Sequence, residues 1–159
     1  MSYRFLASMV ALAAMALALP AESGAVAVIA VSDPWVRVAP DGKSAEAFME
    51  IMSSEGATIV GAESDVSAEV PMQRPGKKRA LANTIALPAR TNVKLAPGDY
   101  RFLLPKLKRP LKLGERVGLS LIVEAPDGSR QNIAVNAEVR RRSAYDDHLH
   151  PLHPHSHAH

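Results

Sequence analysis

The sequence has no cysteine. That excludes disulfides, thiolate metal ligands and cysteine nucleophiles. Hydrophobic packing must carry the fold, and any metal site must draw on histidine, methionine, carboxylate or backbone oxygen. Histidine is also absent before residue 148, so no serine in the body of the chain can pair with an imidazole base. Aromatic side chains number only seven, too few for a base-stacking surface, which argues against nucleic acid. No glycine-rich phosphate cradle and no internal repeat occur. Glu63 and Asp65 form an acid pair, but alternation along a strand would turn both outward. The expectation is a protein that is not an enzyme.

Long apolar runs are scarce. Only Phe5 to Leu19 qualifies, broken by Ser8, preceded by Arg4 and stopped by Pro20. This reads as an export signal, with Ala25-Val26-Ala27 as the cleavage site and Ser23-Gly24-Ala25 as a second option. The run is shorter than the roughly 20 residues that cross a bilayer. Residues 1–27 are therefore expected to be removed, leaving no stable membrane span and a periplasmic or otherwise exported chain; an uncleaved anchor is the alternative. Loss of Arg4 and Glu22 leaves the formal net charge at +3. The remainder is long enough to bury one real core.

What is present is proline and glycine at short intervals from Pro34 to Gly128, punctuation that favours short strands. Ala47 to Ile51 reads as a partly buried strand. Val117 to Leu121 and Ile133 to Val139 alternate apolar with small or polar residues, the period of half-buried strands. Ala125-Pro126-Asp127-Gly128 between them predicts a hairpin. Val93 to Leu95 and Tyr100 to Leu104 flank a second turn, Ala96-Pro97-Gly98-Asp99. Ser67 to Leu87 is ambiguous. Strands at this spacing predict an all-β sandwich or barrel over residues 28–139. Trp35 is expected to anchor the first strand in the core, and Met49 and Met52 to be core or strand-edge residues.

Charge is unevenly spread. Asp41 to Glu69 holds seven acids and one base, Lys43, whereas Arg74 to Arg116 holds twelve bases and two acids, Asp99 and Glu115. The split marks a surface for an acidic partner or anionic headgroups, or simply solvated faces and turns.

After Arg140-Arg141-Arg142 the chain is made almost wholly of His, Pro, Ser, Ala, Asp and Leu. Residues 140–159 are expected to be disordered, because they cannot bury enough apolar surface to offset ordering entropy. All six histidines lie here: His148, His150, His153, His155, His157 and His159. Neutral imidazole suits Cu(II), Ni(II) and Zn(II). Spacing of two or three residues lets several converge on one ion, with Asp146 and Asp147 adding oxygens. The pattern predicts divalent-metal capture, released as imidazoles protonate below about pH 6; a solubilising extension with incidental affinity is the other reading.

Three segments resemble the PCuAC family of periplasmic copper chaperones, over nearly the whole mature domain. Ser32-Asp33-Pro34-Trp35-Val36-Arg37 is similar to its D-x-W-x-R opening strand. Leu95 to Tyr100 is similar to its L-x-P-G-G-Y/H turn. Leu107-Lys108-Arg109-Pro110-Leu111 with Leu113-Gly114-Glu115 is similar to its L-x-x-P-L-x-x-G-D/E segment. The resemblance implies a cupredoxin-like β-sandwich that binds Cu(I) through an early His or Met, a middle Met and a late His-x-Met pair. In this chain the late pair falls on Arg101 and Leu103, the early ligand near Met72 or Gln73, and the middle Met near Arg79. Only Met72 survives as a vestigial ligand, and one thioether makes no site. Lys77, Lys78, Arg79 and Arg101 would repel a cation there.

Two readings follow. In one, this is an exported copper-handling protein that binds Cu(II), or Ni or Zn, through its histidine tail, with a copper protein or other acidic partner in the periplasm. In the other, it is a metal-independent interaction module that uses the basic surface of the sandwich, with Lys77, Lys78, Arg79 and Arg101 facing the partner.

Overall fold

The computed structural model describes residues 27–76 and 80–145. The expected signal segment before Ala27, the Lys77-Lys78-Arg79 loop and all six histidines lie outside the described residues. Ten strands make up the described fold: β1 Ile29–Val38, β2 Ala45–Ser53, β3 Ala57–Ser64, β4 Met72–Gln73, β5 Leu81–Ala82, β6 Ile85–Leu87, β7 Asn92–Leu95, β8 Arg101–Leu104, β9 Arg116–Glu124 and β10 Arg130–Val139. Their pairing runs β5-β4-β8-β2-β1-β10-β9-β3-β6, with β7 also on β2. The β1–β10 pair is parallel, with Trp35 opposite Glu138 and Val36 opposite Val139. It joins the two halves of the path, which close over one core. The all-β, cupredoxin-like sandwich expected from the sequence is the fold.

Alternation places the core. In β9, Val117, Leu119, Leu121 and Val123 are buried while the residues between them are half-exposed. They meet Val36, Ala47, Met49 and Ile51 from the other half, with Ile59, Ile85, Phe102 and Leu104 filling the layer. The predicted β9–β10 hairpin is present: Ala125 N–H donates to Ser129 O at 2.8 Å and Gly128 N–H to Ala125 O at 2.9 Å. Gly128 takes φ 83°, a left-handed value that only glycine adopts without strain.

The turn at Ala96 to Asp99 also forms, closed by Asp99 N–H to Ala96 O at 2.9 Å. It does not fold its flanks onto each other. β7 and β8 both pair antiparallel with β2, β7 against Met49 to Met52 and β8 against Ala45 to Ala47. They are one strand with a loop pushed out of it. The ambiguous stretch from Ser67 to Leu87 resolves into β4, β5 and β6, strands of two or three residues.

Trp35 is buried, at 4% exposure, but not in the main core. It pairs directly with Phe48, while Val36 pairs with Ala47. Since Val36 and Ala47 belong to the core, Trp35 and Phe48 lie on the opposite face of the sheet. Their rings sit 4.5 Å apart, tilted by 35°, and the Arg37 guanidinium covers Phe48 at 5.2 Å. A second small apolar cluster thus backs the sheet. Met49 is in the core, and Met52 stands exposed at the strand edge.

The folded body also runs past Val139, the boundary expected from composition. Arg140 N–H donates to Val36 O at 2.9 Å, and its guanidinium bridges Asp33 at 2.7 Å and Glu138 at 2.9 Å. The Ser143 hydroxyl donates to Asp33 and is buried. Asp33 sits in a bulge of β1, at φ 44°. A short polar residue tolerates that conformation, which turns its carboxylate toward the C-terminal segment. The contacts beyond Val139 are therefore a specific polar latch rather than apolar burial.

Candidate functional site

Register fixes which side chains share the outer face beside Trp35 and Phe48. Directly paired residues point the same way, and positions two apart on a strand point together. Arg37 pairs with Glu46, Glu46 with Leu103, Gln73 with Arg101 and Gln73 with Leu81. These six therefore line one face across β1, β2, β8, β4 and β5. Together they line a cleft of about 730 Å³.

An ion-pair trio lies in the cleft. Glu46 receives Arg37 Nη2 at 2.8 Å and lies 3.0 Å from Arg101 Nε. That Nε–H is buried and not aligned for a hydrogen bond. Arg101 Nη1 donates to Asp99 O at 3.3 Å, which ties the trio to the extruded loop. The Arg101 side chain is only 14% exposed, against 41% for Arg37. Two guanidiniums against one carboxylate leave a net positive charge.

The alignment from sequence is resolved at the early position. Met72 pairs with Phe102 and Ala82 and is part of the hydrophobic core. Gln73, its neighbour, faces the cleft with Arg101. Met72, the one possible vestigial ligand and more readily a packing residue, sits in the core on the face of β4 opposite Gln73. Of the basic residues assigned to a partner surface, Arg101 is largely buried and shares Glu46 with Arg37, while Lys77, Lys78 and Arg79 lie outside the described residues. The six histidines, with Asp146 and Asp147, also lie outside. Among the described residues, no group of three or more His, Asp or Glu is placed to hold a metal. There is also no helix among the described residues long and apolar enough to cross a membrane.

Glu46 and Arg37 were not singled out from the sequence as site residues. Arg37 closes the D-x-W-x-R segment and Glu46 stands in the acid-rich stretch. The signal was there in their alternation with buried neighbours, but only the β1–β2 register sets them opposite each other.

A second polar cluster surrounds Asp33. Arg140 holds the Glu138 carboxyl below its ordinary value, first through its side-chain hydrogen bond and then through its charge. The Arg140 pKa is raised in turn, by Glu138 and then by Asp33 against some desolvation.

Comparison with known proteins places this geometry. Residues 29–139 match the family described as "Putative lipoprotein LpqE-like". The chain belongs to the LpqE-like family. A putative lipoprotein of Leifsonia xyli subsp. xyli is 29% identical over 115 residues, covering 67% of this chain and 68% of that protein. The copper-bound PCuAC domain of PmoF2 matches in fold with a TM-score of 0.60 at 21% identity, covering 70% of this chain and 92% of that domain. The Cu(I) form of DR1885 from Deinococcus radiodurans matches at 0.53 and 27% identity, covering 75% and 83%. The LpqE-like chain thus has the PCuAC sandwich that its motifs resemble. Gln73, Arg101 and Leu103, onto which the sequence resemblance carried an early and the late ligand positions, line the cleft, and they do not make a donor set for a soft cation. An arginine has no lone pair to give and leucine has no donor atom.

Proposed function

We propose that this LpqE-like protein is an exported copper-handling protein, not an enzyme, that takes the ion as cargo on the imidazoles of its C-terminal segment. The observation that carries the reading is the donor set of the cleft. Where a PCuAC site would need histidine and methionine, this chain has Gln73, Arg101 and Leu103, while every imidazole in the sequence lies between His148 and His159. Supporting it are the copper-bound state of structural relatives and the lipoprotein names of the family and of a relative, which fit a cell-envelope location. Imidazole serves both copper oxidation states, and copper stands highest in the affinity order for such ligands.

The test is Cu(I) and Cu(II) binding to the mature chain and to a form ending at Tyr145, which keeps the latch of Ser143 and Arg140 on Asp33. Binding that collapses in the shortened form, with an unchanged melting temperature, is the expected result. Tight copper retained by the shortened form overturns the tail assignment. If neither form exceeds a generic histidine peptide, the protein is a metal-independent interaction module.

A further inference from the structure

The cleft that has lost copper donors has gained other chemistry. Its floor is the trio of Arg37, Glu46 and Arg101, with the Gln73 amide beside it. Two guanidiniums offer ten N–H donors. Among the described residues, Arg37 Nη2 is used on Glu46 and Arg101 Nη1 on Asp99 O, and Arg101 Nε is buried beside Glu46 at 3.0 Å, so a ligand would meet the outer Nη groups. Glu46 is, among the described residues, the one acid lining the cleft, so within the trio one positive charge is uncompensated.

The walls are apolar. Leu81 stands 59% exposed over the opening, and Leu103, Val38 and Pro105 complete the sides. An exposed leucine beside unused charged donors suits a ligand with an apolar body and an anionic head. A cation would meet the surplus charge, and a neutral alcohol would leave it unanswered. The cleft volume of about 730 Å³ lies within the range of small-molecule sites, roughly 300–1,000 Å³.

We propose that the cleft of this protein binds a small monoanion with an apolar body, a carboxylate held by Arg37 and Arg101 with its hydrocarbon against Leu81 and Leu103. This site is independent of copper and of the histidine segment. The chemistry is shared by a short fatty acid and by the carboxylate end of an apolar peptide, so octanoate and N-acetylleucine serve as separate probes.

The experiment is titration of the full chain, with chelator present to remove metal, followed by amide shifts at Gln73, Leu81, Arg101 and Leu103. At least one probe is expected to saturate those shifts, while octanol and acetate do not. Arg37→Gln, at a half-exposed position and with its melting temperature measured alongside, should weaken binding at least fivefold. Glu46→Gln raises the charge of the trio and should tighten it at least twofold. Failure of both carboxylates to bind, octanol binding as tightly as octanoate, or an unchanged affinity in Arg37→Gln each overturns the proposal. None of these outcomes depends on copper, so the copper assignment stands or falls separately.

Discussion

Asp33 and Arg140, 107 residues apart in the sequence, form an ion pair of 2.7 Å that closes the end of β10 onto the bulge of β1. The Asp33 side chain is only 7% exposed, and it also accepts the Ser143 hydroxyl. Replacement by asparagine keeps a residue that tolerates the left-handed backbone while removing the charge. Asp33→Asn is expected to cost about 1–2 kcal/mol, because Arg140 loses its more buried partner but keeps Glu138 and partial solvent. Urea unfolding of the variant measures it. An unchanged midpoint would mean that the latch contributes nothing.

The aromatic pair on the outer face supplies a built-in probe. Trp35 is the only tryptophan and is buried against Phe48, so its emission should be blue-shifted in the native state. Phe48→Ala opens that cluster and is expected to cost about 3–5 kcal/mol, with a red shift at constant secondary structure. A variant with unaltered emission would show that the rings do not share one enclosure.

Rebuilding ligands tests the geometry of the cleft directly. Gln73→His, Arg101→His and Leu103→Met together restore imidazole and thioether at three positions that face one another. In a form ending at Tyr145, the triple variant should gain Cu(I) binding of at least a hundredfold over the parent. Met72→Leu, by contrast, should leave copper binding unchanged and cost less than about 1.5 kcal/mol, as a volume-conserving core exchange does. A large copper effect from Met72→Leu would reverse the assignment of faces in β4.

Acid stability follows from three carboxyls held below their ordinary values. Glu115 is lowered first by the Lys112 backbone N–H and then by Arg109, Asp127 by the Ser129 hydroxyl and N–H, and Glu138 by Arg140. A carboxyl whose folded pKa is depressed binds protons more readily in the unfolded chain. Its contribution is therefore complete above the ordinary value near 4.5 for Glu138 and is lost as pH falls through the folded value. The melting temperature should be level from pH 8 to about 5.5 with respect to these groups and fall below the ordinary carboxyl range. Glu138→Gln should flatten part of that fall. An identical acid limb would exclude this pair from it.

Ser53 has a fully buried side chain whose hydroxyl finds no partner among the described residues. Ser53→Ala removes an unsatisfied group at nearly constant shape, so it is expected to be neutral or stabilising by up to about 1 kcal/mol. Destabilisation by a comparable amount would reveal a partner for the hydroxyl.

Long alternating segments carried most of what could be read in advance. Val117 to Leu121 and Ile133 to Val139 showed their period, and the Pro-Asp-Gly turn between them left one arrangement. The stretch from Ser67 to Leu87 could not be read that way, because strands of two or three residues have no period to show. For the same reason Met72 and Gln73 were indistinguishable as cleft residues: a one-residue shift in a two-residue strand exchanges the faces. The Arg37–Glu46–Arg101 trio depends on the registers of β1, β2 and β8, which no single segment encodes. The contact of Ser143 with Asp33 depends on one backbone bulge, and composition alone marked that region as lacking a fold.

Six residues lie between Leu95 and Phe102, where only Phe48 lies between their partners Met49 and Ala47. The excess is absorbed outside the sheet, so residues can be added or lost there without displacing either flanking ladder. Asp99 in that loop touches Arg101 at the cleft. Variation in loop length between relatives would therefore reshape the mouth of the cavity while leaving the sandwich beneath it undisturbed.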